Sequence, residues 1–302
     1  MPDVIYLDDL RKTYRDSRLR RYEALRGISL RVEEGEAFGF VGPNGAGKST
    51  TIKILAGVTQ ASSGTARLLG QPVDRFQARL GLAYVPENPY LYDYLTPYEV
   101  VAMGVKLHKV QVPDMRRHCL EWLDRFRIAH VADKRIRQFS KGMVQRTALA
   151  HALACRPKLL ILDEPLSGLD PIGRRETVDV LYEYHRGGGT LFFSSHVLHD
   201  VERLADRFGL IHKGLLKTVQ TPGELLNAHG TISVLFQGEA QIPGAVRLDR
   251  DLWSVETNQA ELWPLLEQLK TAQVVLKEVK PTMSLEKAFL SYTQDEAAHG
   301  AA

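Results

Sequence analysis

The run Gly42-Pro43-Asn44-Gly45-Ala46-Gly47-Lys48-Ser49 combines spaced glycines, a lysine and a hydroxyl in the order needed to hold a row of phosphates. The glycines let successive backbone N–H groups turn inward, and a helix starting at Lys48 would add its positive dipole end. Lys48 is then expected to reach the β- and γ-phosphates of a nucleotide, and Ser49 to ligate Mg²⁺. Thr50 extends this set of expected contacts. A second chemical signal is the pair Asp163-Glu164, which ends the apolar run Leu159-Leu160-Ile161-Leu162. At the carboxyl end of a buried parallel strand, Asp163 is placed to hold the hydration shell of Mg²⁺. Glu164, one residue on, is placed to accept a proton from an attacking water.

Both signals need rigid elements to position them. Ala37 to Val41, Leu80 to Val85, Leu159 to Leu162 and Thr190 to Phe193 read as buried strands. Lys48 to Gly57, Met143 to Ala154, Arg174 to His185 and Val197 to Ala205 read as helices. The alternation predicts an α/β fold with a mostly parallel sheet covered on both faces. Val4 to Val32 reads as antiparallel strands, and residues 96–140 as a helical insertion without a buried strand. Thr221-Pro222-Gly223 breaks the pattern, so the chain is expected to divide near residue 220. The first domain is then 1–220. A small α+β domain over 221–293, with short strands and two helices, would precede a polar tail at 294–302, expected to be disordered.

The 302 residues are 44% hydrophobic, enough for a sizeable core. No run approaches the ~20 apolar residues of a membrane-spanning helix. The first ten residues carry three aspartates and do not resemble a signal peptide. Cys119 and Cys155 lie far apart, without metal-ligand spacing, which points to a reducing cytosol rather than a disulfide framework. A net charge of +3 gives no case for nucleic acid. A local cluster, Arg11, Lys12, Arg15, Arg18, Arg20, Arg21 and Arg26, reads as a solvated hairpin or as a face for phosphates or an anionic membrane.

Further residues carry a specific resemblance. Phe139-Ser140-Lys141-Gly142-Met143-Val144-Gln145-Arg146 is similar to the signature motif of the ABC superfamily, usually Leu-Ser-Gly-Gly-Gln. Phe139, Lys141 and Met143 depart from that consensus, while Ser140 and Gly142 keep its functional positions. Ser167-Gly168-Leu169-Asp170 looks like the D-loop, and Ser195-His196 resembles the switch histidine. Tyr14 matches the aromatic position that stacks on adenine. The resemblance spans Val4 to about Thr218, with the motifs in the family's order. It implies a P-loop ABC ATPase core, with ATP and Mg²⁺ as cofactors. Ser140, capping a helix, and the N–H of Gly142 would act on the γ-phosphate of ATP held by the opposite subunit. His196 would bond that phosphate or the attacking water.

One departure concerns Glu87, which stands where the family usually has a glutamine that contacts Mg²⁺ or water and links to the membrane subunit. A carboxylate there adds negative charge beside the metal. This variant, the Ser-Lys-Gly-Met signature and the tail Leu285-Glu286-Lys287-Ala288-Phe289-Leu290 resemble the ATPases of type 2 ABC exporters. The expectation is a head-to-tail dimer that hydrolyses ATP to power export by a separate transmembrane permease; every motif is intact, so two copies of the chain could build two competent sites, and a heterodimer stays open. It would sit on the cytoplasmic face of the membrane. Soluble ABC ATPases of translation usually carry two motif sets, and those of DNA repair carry long coiled coils. One motif set without sustained heptads favours transport, and an importer ATPase remains an alternative.

Overall fold

A computed structural model of the protein describes residues 3–15, 20–228, 231–238 and 242–281. The chain divides into two compact units between Val219 and Gln220.

In the first unit, β1 (Asp3–Arg15) and β2 (Arg21–Glu33) pair antiparallel, bringing Leu7 opposite Leu30 and Tyr14 opposite Tyr22. β4 (Ser63–Leu68) pairs with the other edge of β1 and carries β5 (Gln71–Pro72), giving the order β2-β1-β4-β5. Ile5, Leu7 and Leu10 meet Leu25, Ile28 and Leu30 in a shared buried cluster, so this sheet is held by its apolar face.

The central sheet has six strands in the order β10-β9-β3-β8-β7-β6. They are β3 (Ala37–Val41), β6 (Leu82–Val85), β7 (Leu159–Leu162), β8 (Thr190–Ser195), β9 (Arg207–His212) and β10 (Leu215–Gln220). The pairs β9/β3, β3/β8, β8/β7 and β7/β6 are parallel. Every residue of β3, β7 and β8 is buried, as parallel strands covered on both faces require. Phe192 stacks on Phe38 at 5.8 Å between ring centroids and tilts against Phe40 at 5.6 Å.

Helices α1 (Lys48–Leu55), α2 (Pro97–Leu107), α3 (Met115–Arg125), α4 (Lys141–Ala154), α5 (Pro171–Arg186) and α6 (Leu198–Leu204) complete the unit. A reciprocal capping box, in which Thr96 and Glu99 each bond the other's backbone N–H, and Pro97 in the first turn start α2. Residues 96–140 contain α2, α3 and short 3₁₀ turns.

Element ends differ from the apolar pattern where caps and polar residues decide them. The strand expected from Leu80 starts at Leu82, because Leu80 is exposed and Gly81 takes φ +88°. The strand expected to stop at Phe193 continues through Ser194 and Ser195, both buried. The helices expected from Met143 and Arg174 begin at Lys141 and Pro171, immediately after their N-cap residues Ser140 and Asp170. The helix expected to reach Gly57 ends at Leu55.

The second unit contains α7 (Pro222–Ala228), β11 (Thr231–Gln237), β12 (Val246–Arg247), β13 (Leu252–Asn258), α8 (Leu262–Thr271) and β14 (Val275–Pro281). Its sheet has the order β12-β13-β11-β14. Val234, Phe236 and Val255 pack with Leu265 and Leu269 of α8 in a small core. The segment Leu285 to Leu290 that carries part of the resemblance, and the tail 294–302, lie outside the described residues.

Candidate active site

β3 ends at Val41, and the glycine-rich loop begins with the Gly42 N–H donating to the Ser195 carbonyl at 3.4 Å. The back of this loop is pressed between β2 and the end of β9. A Cβ on Gly42 would collide with the Ile211 carbonyl oxygen, and one on Gly47 would stand 2.9 Å from the Ala24 carbonyl oxygen. Gly47 also has φ +115°, which side chains rarely adopt. The two glycines therefore set how closely the loop can lie, and α1 starts directly after them.

Lys48 is almost fully buried. Its Nζ donates to the Gly42 carbonyl at 2.6 Å and stands 3.2 Å from Glu164 Oε1. The cation rests against its own loop and the neighbouring carboxylate.

Asp163 and Glu164 follow β7 as the sequence requires. Asp163 Oδ1 accepts from Ser194 Oγ at 2.7 Å and from Ser49 Oγ at 3.2 Å. Glu164 takes φ +49°, an uncommon conformation for a side-chain-bearing residue. Its N–H donates to Ser194 Oγ at 2.9 Å, and its Oε2 lies 2.8 Å from His196 Nδ1. Oε1 is buried and makes no aligned hydrogen bond, leaving only the Lys48 contact.

A cavity of about 260 Å³ gathers most of the expected ligand contacts. Its wall contains Tyr14, Pro43, Asn44, Gly45, Gly47, Lys48, Ser49, Thr50, Glu87 and Glu164, together with Tyr22 and Ala24. Lys12 places its ammonium 4.9 Å from the centroid of the Tyr14 ring. Gly42 and Ala46 support the loop without lining the cavity. His196 instead faces an adjoining cavity of about 200 Å³ behind Glu164, with Arg174 and Asp200. Arg174 of α5 clamps Asp200 of α6 through both carboxylate oxygens, at 2.9 and 2.5 Å.

The donors suit a small hard cation. Ser49 Oγ and Asp163 converge, with the Glu87 carboxylate on the same cavity wall, and Mg²⁺ takes few protein oxygens beside phosphate and water. Among the described residues no cluster of three His, Cys, Asp or Glu could hold a metal by itself. Burial, and then the Asp163 charge, push the Tyr84 phenol up to about 12, so it stays protonated beside that carboxylate.

Residues 25–167 match the family described as ABC transporter. An ABC transporter ATP-binding protein of Nostoc sp. is 40% identical over 240 residues, covering 78% of this chain and 72% of that protein. The chain belongs to the ABC transporter ATP-binding family. The linearmycin resistance ATP-binding protein LnrL of Bacillus subtilis is 32% identical over 213 residues, 70% of this chain and 68% of that protein. A solved ATP-binding subunit of an ABC transporter superposes with a TM-score of 0.68 at 29% identity, covering 74% of this chain and 92% of that one. This chain is accordingly an ABC-type ATPase with the cassette fold.

The remaining motifs of this ABC cassette surround the same loops. Ser140 caps α4 by accepting from the Met143 N–H at 3.3 Å. A Cβ on Gly142 would stand 3.2 Å from the Gly168 carbonyl oxygen, so the signature and the D-loop touch. Gln145 Nε2 donates to the Pro165 carbonyl at 3.1 Å, and Arg146 bonds Asp170 at 2.8 Å. α4 is thereby tied to the loop that carries Glu164. Neither Ser140 nor Gly142 lines the cavity beside Lys48.

Sequence reasoning did not single out Tyr22, Ser194, Arg174 or Asp200. Tyr22 is an aromatic near the start of a strand, and its role appears only in the register that sets it opposite Tyr14. Ser194 extends an apolar run with a small polar residue, which was the one available signal. Of the basic cluster, Arg11 forms a two-oxygen pair with Asp9, and Lys12 donates to the Gln60 carbonyl. Arg18 lies outside the described residues.

Proposed function

We propose that this cassette works as a head-to-tail dimer, a homodimer, that hydrolyses ATP with Mg²⁺ and so powers export by a separate transmembrane permease. One observation carries this reading. The cavity built by the chain's own loop holds Lys48, Ser49 and Glu164, while Ser140 and Gly142 stand outside it on the cap of α4. Their donors are available to a nucleotide held by a second copy. Mg²⁺, when bound, would neutralise phosphate charge between Ser49, Asp163 and Glu87. Glu164 would take the proton of the attacking water, and His196, bonded to Oε2, would hold that carboxylate in place. Tyr14 would stack on adenine.

Export is supported by the resistance function in the name of LnrL, since resistance is served by outward movement. The permease would be a separate chain, with the cassette on the cytoplasmic face of the membrane. The segment after Glu87 offers it a surface. Tyr90 is fully exposed, Tyr92 and Tyr94 are exposed with rings 5.6 Å apart, and Leu91 and Leu95 beside them are half-buried. Aromatic side chains bury large area at small entropic cost, which suits a groove for a cytoplasmic permease helix.

Mixing subunits tests the dimer. A Ser140→Arg subunit damages the site completed by its signature, and a Lys48→Ala subunit damages the site on its own loop. A mixed dimer retains one intact composite site, so the mixture is expected to show ATPase activity above either parent. Activity that never rises above the parents refutes the arrangement.

A further inference from the structure

Ser194 occupies a position that the assigned motifs leave out. It is fully buried on β8, the strand between β3 and β7. The parallel register pairs Leu162 with Phe193 and Phe40 with Ser194, so Ser194 stands level with Asp163 where β7 leaves the sheet. A hydroxyl has one proton to donate and lone pairs to accept with. Ser194 uses both. Its proton goes to Asp163 Oδ1 at 2.7 Å, and its oxygen accepts the Glu164 N–H at 2.9 Å.

These two bonds act on different functional groups. The first fixes the rotamer of Asp163 whose Oδ1 also meets Ser49. The second satisfies the backbone N–H of Glu164 at φ +49°, a conformation that persists only when its surroundings impose it. That backbone conformation directs the Glu164 carboxylate to His196 and Lys48. We propose that Ser194 is a positioning residue for hydrolysis, holding the metal-side carboxylate and the general base in one fixed geometry through a single hydroxyl. This rests on the reading of Glu164 as the base. Ser194 touches neither substrate nor reacting atoms, and acts through its two neighbours.

The test uses the purified full chain with Ser194→Ala, Ser194→Cys and Ser194→Thr, beside wild type and Glu164→Gln. Turnover is measured together with the affinity of a fluorescent ATP analogue in EDTA, its Mg²⁺ dependence, and thermal unfolding. Leaving a buried N–H and a carboxylate without their partner is expected to lower kcat roughly tenfold to a hundredfold in the Ala and Cys variants. Their KM and EDTA affinity should stay within about twofold of wild type, the mark of an interaction lost at the chemical step. More Mg²⁺ should be needed to reach the same nucleotide affinity. Ser194→Cys fills nearly the same volume, so its low turnover in a stable protein separates hydrogen bonding from packing. Ser194→Thr retains the hydroxyl and should recover turnover above the Cys variant.

Wild-type kcat in Ser194→Cys beside an inactive Glu164→Gln overturns the proposal alone. Equal losses of kcat and of EDTA affinity would show general damage and overturn it as well. Turnover retained by Glu164→Gln would remove the base assignment on which the proposal rests, and that outcome is separate from any result at Ser194.

Discussion

Glu164→Gln removes one charge from a buried triad while keeping its shape, and the structure gives opposite signs for its effects on binding and turnover. Lys48 Nζ lies 3.2 Å from Glu164 Oε1, with both side chains about nine-tenths buried or more. Coulomb's law at an effective dielectric of about 20 gives about 5 kcal/mol for unit charges at that separation. Desolvation of two buried ions offsets most of this, leaving on the order of 1–2 kcal/mol that a phosphate must overcome to recruit Lys48. Glutamine relieves this competition and also removes a negative charge from the wall of the cavity proposed to take ATP. ATP affinity should therefore rise by roughly tenfold. Turnover should fall by about 10²–10⁴-fold, since the proton acceptor is gone. Titration with a fluorescent ATP analogue at fixed Mg²⁺ reads the first effect, and phosphate release under saturating ATP reads the second. Near wild-type turnover refutes Glu164 as the base. Weakened ATP binding refutes the competition between Glu164 and phosphate for Lys48.

Two further outcomes follow from other parts of the unit. Asp at Leu91 and Tyr92 should leave ATP binding by the isolated subunit intact and abolish co-purification with the permease, and full transport by these variants would place the groove elsewhere. Burial, and then the charge of His108, hold the His151 imidazole below its usual range. Its neutral form is the one the fold favours, so the stability it contributes is full above pH ~6.5 and is lost as pH falls towards the lowered value. Urea unfolding at pH 7.5 and 5.5 should show a smaller acid loss for His151→Leu than for wild type, and equal losses would refute the assignment.

The candidate site was legible in the sequence because its parts are contiguous residues. Gly42 to Ser49, the Asp163-Glu164 pair and Ser140 each carry their local context with them: a strand end before the loop, an apolar run before the carboxylates, a helix after the cap. The ends of elements were less legible, for a physical reason. Apolar periodicity marks buried faces, whereas Ser140, Asp170 and Thr96 start helices through N-cap geometry or side-chain bonds to the backbone, and Ser194 extends a strand with polar atoms satisfied inside the core. The pairing of Tyr14 with Tyr22 depends on how two strands slide past one another, which neither strand's composition reports.

The least legible feature is the level at which the strands end, and the chemistry depends on it. In the sheet β3, β8 and β7 are neighbours, although in the chain they lie far apart and in another order. The register sets Val41 beside Ser195, and Leu162 beside Phe193. One residue further along each strand, Gly42 comes level with His196, and Asp163 with Ser194. Gly42, His196 and the carboxylate pair thus reach the same edge of the sheet together. A slip of one residue in β8 would turn Ser194 to the opposite face and remove both of its bonds. The packing of Phe192 on Phe38 and against Phe40 opposes that slip, since the slip would turn the ring away from both. The apolar part of the strand thereby fixes the alignment that its two terminal serines and His196 use.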